Sequence, residues 1–258
     1  MATIDTSFTD AAPGDIVAAC LKPAAAVVVP AGCEFLNKPY TVEAPKADFD
    51  RIRKPAVVGA GKATPHTFPG DAAARAAKTY EVTVDGRKIP VVMPDPMPAG
   101  KNLPSVDQVG RALGAVPGKQ LDSIKEIVVS PNQNPSDAYW ATQYNIPGFA
   151  SAATGGPSGV TFYPKPTAWD QAFVDSTAIH EGGHAFSIAL WKDPKVKKTW
   201  EDAIAADKKP PSTYAESSTG EDFSESLVMY SLSKGTKCEA PARLLYPQRY
   251  KTLDEMFK

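Results

Sequence analysis

The sequence lacks the charge excess and the long apolar runs that mark several classes of protein. Its 258 residues carry a formal net charge of −1 and have a pI near 6.3, whereas nucleic-acid-binding domains are usually basic. No apolar run approaches the roughly 18 residues that a membrane span needs. No basic amphipathic segment suits a membrane surface either. We therefore expect no nucleic-acid partner and no membrane span.

The first twenty residues lack lysine and arginine. They contain Asp5, Asp10 and Asp15 instead, so the positively charged region of a secretory signal peptide is missing. We expect no signal peptide. The chain should then be cytoplasmic in the producing cell or leave it through a dedicated machinery other than the general secretory route.

Cysteine is scarce, with three residues at no spacing typical of a metal site. They are Cys20, Cys33 and Cys238. The favoured interpretation is three buried or inert thiols, and the alternative is a disulfide between Cys20 and Cys33.

Composition divides the chain near residue 74. Residues 1–74 are rich in alanine, proline and glycine, which predicts an irregular N-terminal extension or a small module. The boundary should fall among the turn-forming residues of 61–71. Residues 75–258 show the clearer patterns of a folded domain.

The pattern from residue 80 onward is typical of a sheet with one early helix. Asp85 and Gly86 lie between two alternating runs and predict a β-hairpin. Apolar residues at helical spacing predict a helix over 105–116. β-branched and aromatic residues predict strands in "SIKEIVVSP" and "GVTFYP", and "FASAATGGPSG" indicates an edge strand or a loop.

Two of the three histidines lie in one apolar stretch, "STAIHEGGHAFSIALW". Apolar residues cover most of its circumference, which predicts a buried central helix over about 168–191. Thr167 with Asp170 should cap its N-terminus, and Pro194 should prevent its continuation.

His180 and His184 lie one helical turn apart and project from the same face of this helix. With Glu181 they form H-E-x-x-H, the spacing by which two imidazoles bind zinc while the glutamate acts on water. Two buried histidines satisfied by hydrogen bonds are the alternative, but Gly182 and Gly183 each cost a helix about 1 kcal/mol against alanine. Close approach of a strand or a substrate would explain both glycines.

A third ligand should come from a following helix, because catalytic zinc usually has three protein ligands. Within 213–232, Glu221 is the favoured candidate. Glu225, one turn further on, could accept the free ring N–H of a ligand histidine and so orient it. Glu201 and His66 are the competing candidates for the third ligand.

Glu221 has a purely structural alternative as well. Ser218 and Glu221 match the S-x-x-E capping box, in which the glutamate would only close the start of a helix. Thr219 with Asp222 offers the same cap one residue later, and that cap would free Glu221.

These residues resemble the catalytic domain of anthrax lethal factor and the Pro-Pro endopeptidases. The resemblance rests on "HEGGH", Tyr214 and "EDFSES", with a weaker similarity in the C-terminal "LLYPQRYKTLDEMF". It covers about 79–258, which is nearly all of the folded domain predicted for 75–258. It implies an α+β, zincin-like metallopeptidase fold, with a mixed sheet, an active-site helix that carries H-E-x-x-H and a second helix that carries the glutamate ligand.

The resemblance also implies roles for particular residues. His180, His184 and Glu221 would bind Zn²⁺, and Glu225 would support a histidine ligand. Tyr214 would donate a hydrogen bond to the developing oxyanion, although a loop tyrosine packed on the core is the alternative.

The function that these residues predict is a zinc-dependent endopeptidase with a protein or peptide substrate. Glu181 would take a proton from water and pass it to the leaving nitrogen. A zinc hydrolase of another amide, such as a cell-wall peptide crosslink, is the first alternative. A non-catalytic zinc module is the second, although such a site has no use for Glu181. By analogy the protein could be a bacterial effector with a secretion apparatus as a partner, or a cytoplasmic peptidase.

Overall fold

The computed structural model describes residues 27–36, 49–143 and 145–258. Within these residues, seven strands form one mixed, open sheet and eight α-helices accompany it. The α+β class and the mixed sheet that the sequence predicts are therefore confirmed. None of the described helices combines the length and the apolar character that crossing a membrane requires.

The sheet has the strand order β1-β3-β4-β5-β7-β6, and β2 pairs with β3 beside β1. The strands are β1 (Ala56–Val58), β2 (Lys62–Ala63), β3 (Ala77–Val84), β4 (Arg87–Pro94), β5 (Glu126–Val129), β6 (Ala153–Gly156) and β7 (Gly159–Phe162). The β4–β5 and β5–β7 pairs are parallel, and the other pairs are antiparallel. Strands β1 and β2 belong to this sheet, which therefore crosses the boundary expected at residue 74; the division into two parts stays a prediction.

The expected hairpin joins β3 to β4. Asp85 and Gly86 form its turn with φ of 52° and 76°, the left-handed conformation that two-residue hairpin turns need. Within the described residues, strand β6 pairs only with β7 and ends the sheet. The sequence-based expectation of an edge strand in this segment is confirmed.

Eight α-helices lie in the described part of the chain. They are α1 (Val106–Ala115), α2 (Gly118–Leu121), α3 (Asp137–Gln143), α4 (Gln171–Leu190), α5 (Pro194–Asp207), α6 (Thr219–Ser233), α7 (Glu239–Leu245) and α8 (Pro247–Met256). Two 3₁₀-helices, Phe49–Arg51 and Tyr214–Ser217, accompany them. The predicted helix over 105–116 is confirmed as α1, with a complete capping box at Ser105.

The ends of α4 differ from the expectation. Asp170, not Thr167, is the N-cap, because its carboxylate accepts the N–H of Phe173. Pro194 does not merely end the helix: it occupies the first turn of α5, where proline is well tolerated. Helix α4 packs against α6, α1 and strands β6 and β7, so the predicted central position is confirmed.

Neither interpretation of the cysteines, as inert thiols or as a Cys20–Cys33 pair, was right for Cys33. Cys33 forms a disulfide with Cys238, 205 residues away in the sequence, so neither is an inert thiol and Cys33 does not pair with Cys20. Cys20 itself lies outside the described residues. The bond fastens the segment that holds the buried Phe35 and Leu36 to the start of α7, a contact between distant parts of the chain that local spacing does not reveal.

Candidate metal centre and cleft

Helices α4 and α6 approach each other closely at Gly183. A Cβ atom on Gly183 would lie 2.8 Å from Ser224 Oγ and 3.0 Å from Leu227 Cδ1 of α6. A Cβ on Gly182 would lie 2.9 Å from Gln120 Nε2 and 3.0 Å from a methyl of Ile124. The close packing of α6 against Gly183, and of Gln120 and Ile124 against Gly182, therefore explains both glycines of "HEGGH". The sequence suggested the approach of a strand or a substrate instead.

This approach brings His180, His184 and Glu221 into one cluster. Glu221 Oε2 lies 2.9 Å from His180 Nε2 and 3.3 Å from His184 Nε2. One potential ligand atom from each of the three residues lies within 4.8 Å of the others. The side chains are 13–18% exposed, so the cluster is shielded yet open to a small ligand. These residues could hold a metal ion.

The start of α6 frees Glu221 for this cluster. Ser218 Oγ accepts the N–H of Glu221, as in a capping box, but the Glu221 carboxylate turns toward the histidines. The next residue, Asp222, turns into the core, where both its oxygens accept from the guanidinium of Arg249 at 2.9 and 2.6 Å. Glu221 therefore contributes to the cluster, whereas its neighbour Asp222 contributes to the packing of α6 in the core.

The other two candidates for a third ligand lie outside the cluster. Glu201 is on α5 and pairs with Lys197 at 3.4 Å. His66 packs edge-on against Phe68 with ring centroids 4.9 Å apart, and its backbone pairs with that of Arg75.

Glu225 lies behind His180, on the side away from Glu221. Its Oε1 is 2.8 Å from His180 Nδ1, and its Oε2 accepts from the Ser212 hydroxyl at 2.6 Å. Glu225 and Ser212 are both 2% exposed. A carboxylate on Nδ1 favours the tautomer that leaves Nε2 free for a ligand.

The buried charges shift one another's protonation. Burial disfavours the imidazolium of His180, but hydrogen bonds to Glu221 and Glu225 outweigh burial and hold the pKa of His180 well above its usual value. Burial likewise opposes ionisation of Glu221, yet the two histidines lower its pKa. Burial raises the pKa of Glu181, and the nearby histidines only partly offset that effect.

Edge strand β6 lies directly against α4 at Glu181. The backbone of Gly155 hydrogen-bonds to the Glu181 carboxylate. A Cβ on Gly155 would lie 2.1 Å from the Glu181 carbonyl oxygen and 2.7 Å from His184 Cβ. Only glycine fits there without a shift of the strand, so Gly155 sets the distance between the edge strand and the cluster.

Tyr214 lies beside the cluster on its short 3₁₀-helix. Its ring stacks on His180 with centroids 5.9 Å apart and planes 25° apart. A second tyrosine, Tyr163, is buried nearby and its hydroxyl is 3.1 Å from Thr154 Oγ1 of β6. Burial, the largest influence, raises the pKa of Tyr163.

A cleft of about 640 Å³ opens over the cluster. It is lined by His180, Glu181, His184 and Glu221, by Tyr214 and by residues of the edge strand. Trp140 and Ile146, which are 36% and 47% exposed, supply an apolar rim. Among the residues that the structure describes, those that line the cleft include no lysine or arginine.

The structure thus gathers every residue that the sequence proposed for the main site, and it adds Ser212, Gly155 and the Trp140 rim. Nothing in the sequence marked Ser212 or the Trp140 rim. Gly155 lies in the stretch predicted as an edge strand or a loop, but its close contact with α4 follows only from the packed chain. Comparison with protein-family models and with curated proteins found no match for this chain.

Proposed function

We propose that this protein is a zinc-dependent endopeptidase that hydrolyses peptide bonds in a protein or peptide substrate. One observation carries the proposal: Glu181 reaches the cleft beside a His180, His184 and Glu221 cluster without belonging to that cluster. A purely structural metal site has no role for such a carboxylate, whereas a hydrolytic site needs a base there.

The donor set fits zinc. Two imidazole nitrogens and one carboxylate oxygen are a common protein complement of catalytic zinc and leave a position for water. Glu225 supplies the carboxylate partner that zinc-ligating histidines usually have. When bound, zinc would lower the pKa of a coordinated water to about 7 and would polarise a substrate carbonyl.

The chain's own residues would carry the proton and hold the substrate. Glu181, whose pKa is raised by burial, is suited to accept a proton from water and to return it to the leaving nitrogen. The Tyr214 hydroxyl could donate a hydrogen bond to the oxygen that develops negative charge.

The outer edge of β6 supports an extended peptide as the substrate. Tyr163 N–H donates to the Ala152 carbonyl at 2.8 Å, and ladder bonds alternate along an antiparallel pair. The backbone groups of Ala153 and Gly155 therefore point away from β7, and those of Ala153 could pair with a peptide strand.

The disulfide bears on where the protein acts. Disulfides persist in oxidising environments and are rare in the reducing cytoplasm, so the Cys33–Cys238 bond supports an exported protein, such as a delivered effector, over a cytoplasmic peptidase. Export by a dedicated machinery, and a secretion apparatus as its partner, stay predictions.

The test compares wild type with Glu181→Gln for bound zinc and for cleavage of a peptide library. We expect one zinc per chain in both proteins, and a fall in cleavage rate of about 10²- to 10⁴-fold in the variant. Cleavage of cell-wall peptide crosslinks alone would favour the hydrolase alternative. Bound zinc without hydrolysis of any amide would favour a non-catalytic zinc module. Absence of bound zinc would overturn the proposal.

A further inference from the structure

Ser212 makes two hydrogen bonds of opposite sense from one buried hydroxyl. Its O–H donates to Glu225 Oε2 at 2.6 Å, and the same oxygen accepts the N–H of Ala215 at 3.2 Å. A serine hydroxyl has one donor and two acceptor positions, so both bonds can form together. Ser212 is 2% exposed and does not line the cleft.

The first of these bonds fixes the carboxylate behind His180. Glu225 accepts at one oxygen from Ser212 and at the other contacts His180 Nδ1 at 2.8 Å. Without the serine, the carboxylate could rotate about its last torsion and lose alignment with the ring. Outer carboxylates of this kind set the orientation of a ligand histidine.

The second bond fixes the turn that carries Tyr214. Ala215 follows Tyr214 within the 3₁₀-helix Tyr214–Ser217, and the Thr213 N-cap makes no side-chain hydrogen bond to this helix. Ser212, one residue earlier, supplies a side-chain bond in its place. One hydroxyl therefore joins the support of His180 to the position of the tyrosine that stacks on the same ring.

We propose that Ser212 is a positioning residue that links the orientation of His180, through Glu225, to the placement of Tyr214. It lies outside both the metal-binding cluster and the lining of the cleft, and it acts only through these two neighbours. This inference rests on the proposed zinc peptidase function, since the orientation of His180 matters most for a ligand.

Ser212→Ala removes both bonds and adds no bulk. We expect zinc affinity, measured by competition with a chromophoric chelator, to fall about tenfold, at the low end of the 10- to 100-fold range for losses behind a ligand histidine. The Nδ1–H proton of His180, observed by ¹⁵N–¹H NMR, should move upfield because its hydrogen bond to Glu225 weakens. Ser212→Thr keeps a hydroxyl and should restore both values toward wild type.

Ser233→Ala is the matched control. Ser233 is fully buried on α6, and its hydroxyl donates to the Met229 carbonyl far along the helix from Glu221. Loss of that hydroxyl should leave zinc affinity and the His180 resonance unchanged, and thermal unfolding shows whether each variant is folded.

The link to Tyr214 has its own readout. In peptide-cleavage assays of this protein, Ser212→Ala should lower kcat by a larger factor than it raises KM. The loss of kcat should be smaller in a Tyr214→Phe background. Equal losses in both backgrounds would show that Ser212 does not act on Tyr214.

The two proposals fail in different ways. Wild-type zinc affinity and an unshifted Nδ1–H in Ser212→Ala would overturn the role of Ser212 and leave the peptidase proposal intact. If the wild type binds no zinc, the peptidase proposal fails, while the His180 resonance of the metal-free protein still decides whether Ser212 holds Glu225.

Discussion

At the residue scale, the two glycines of "HEGGH" set how closely neighbouring segments approach α4. Gly183 admits Ser224 and Leu227 of α6, the helix that carries Glu221. The separation of the two helices determines the distance from His180 and His184 to Glu221. A glycine on one helix thus controls the geometry of a cluster that spans two.

Gly183→Ala tests this control. Alanine gains about 1 kcal/mol in helix propensity, but overpacking a tight interface typically costs about 1–3 kcal/mol, so we expect net destabilisation in urea unfolding and weaker metal binding. Ser224→Ala in the same chain should recover part of both losses because it removes the nearest atom.

Gly220→Ala serves as the comparison for Gly183→Ala. A Cβ on Gly220 would meet its nearest neighbour, His184 Nδ1, at an ordinary 3.6 Å. We expect stability equal to or slightly above wild type. If Gly183→Ala behaves in the same way, the close contact with α6 does not limit the helix separation.

At the element scale, edge strand β6 is held against α4 by the absence of a side chain at Gly155. Gly155→Ala should push the strand away from Glu181, because its Cβ would lie 2.1 Å from a backbone oxygen that cannot move alone. We expect a clear loss of kcat/KM for peptide cleavage with zinc content unchanged.

Gly156→Ala is the control in the same strand, since a Cβ there would have no heavy atom of the described residues within 4 Å. It should reduce kcat/KM far less than Gly155→Ala. Equal losses would assign the effect to stiffening of the strand and not to its distance from Glu181.

Also at the element scale, the carboxylate of one residue on α8 contacts both α6 and α7. Asp254 accepts from Tyr230 at 2.9 Å and from Lys234 at 2.6 Å, and it pairs with Arg243 at 2.7 Å. Burial opposes its ionisation, but Arg243, Lys234 and Tyr230 outweigh burial and lower the pKa of Asp254 from 3.8 to about 2.

This shift predicts the pH dependence of stability. A carboxyl whose pKa is lower in the folded than in the unfolded chain contributes stability that is fully present above about pH 4 and is lost as pH falls through about 2. Asp254→Asn should therefore be less stable than wild type at pH 6, and the difference should shrink toward pH 2 in urea titrations. A constant difference across that range would contradict the assignment.

At the scale of the whole molecule, the Cys33–Cys238 disulfide closes most of the chain into one loop. Removing a native disulfide typically costs about 2–5 kcal/mol. We expect the paired variant Cys33→Ser, Cys238→Ser to lose stability in this range, and a reductant to lower the stability of the wild type by a similar amount.

Cys20→Ser is the control, because Cys20 is not part of this bond. It should respond to the reductant as the wild type does. A paired variant with the stability and reductant response of the wild type would show that the bond does not stabilise the folded chain.

Much of the fold was predictable from short stretches of sequence. The hairpin at Asp85 and Gly86, helix α1 and the central helix α4 all follow from turn chemistry, capping and apolar spacing within a few residues. The exact start of α4 was not predictable, since Thr167 and Asp170 are both good caps and only the structure shows that Asp170 accepts the N–H of Phe173.

The candidate site divides in the same way. The shared helix face of His180 and His184 follows from their spacing alone, because four residues make about one helical turn. The location of Glu221 beside them, the bond from Ser212 to Glu225 and the disulfide from Cys33 to Cys238 follow only from the packed chain. The packing of α4 against α6 places Glu221, the turn before α6 brings Ser212 to Glu225, and the packing of the N-terminal segment near α7 joins the two cysteines. No local pattern carries that information.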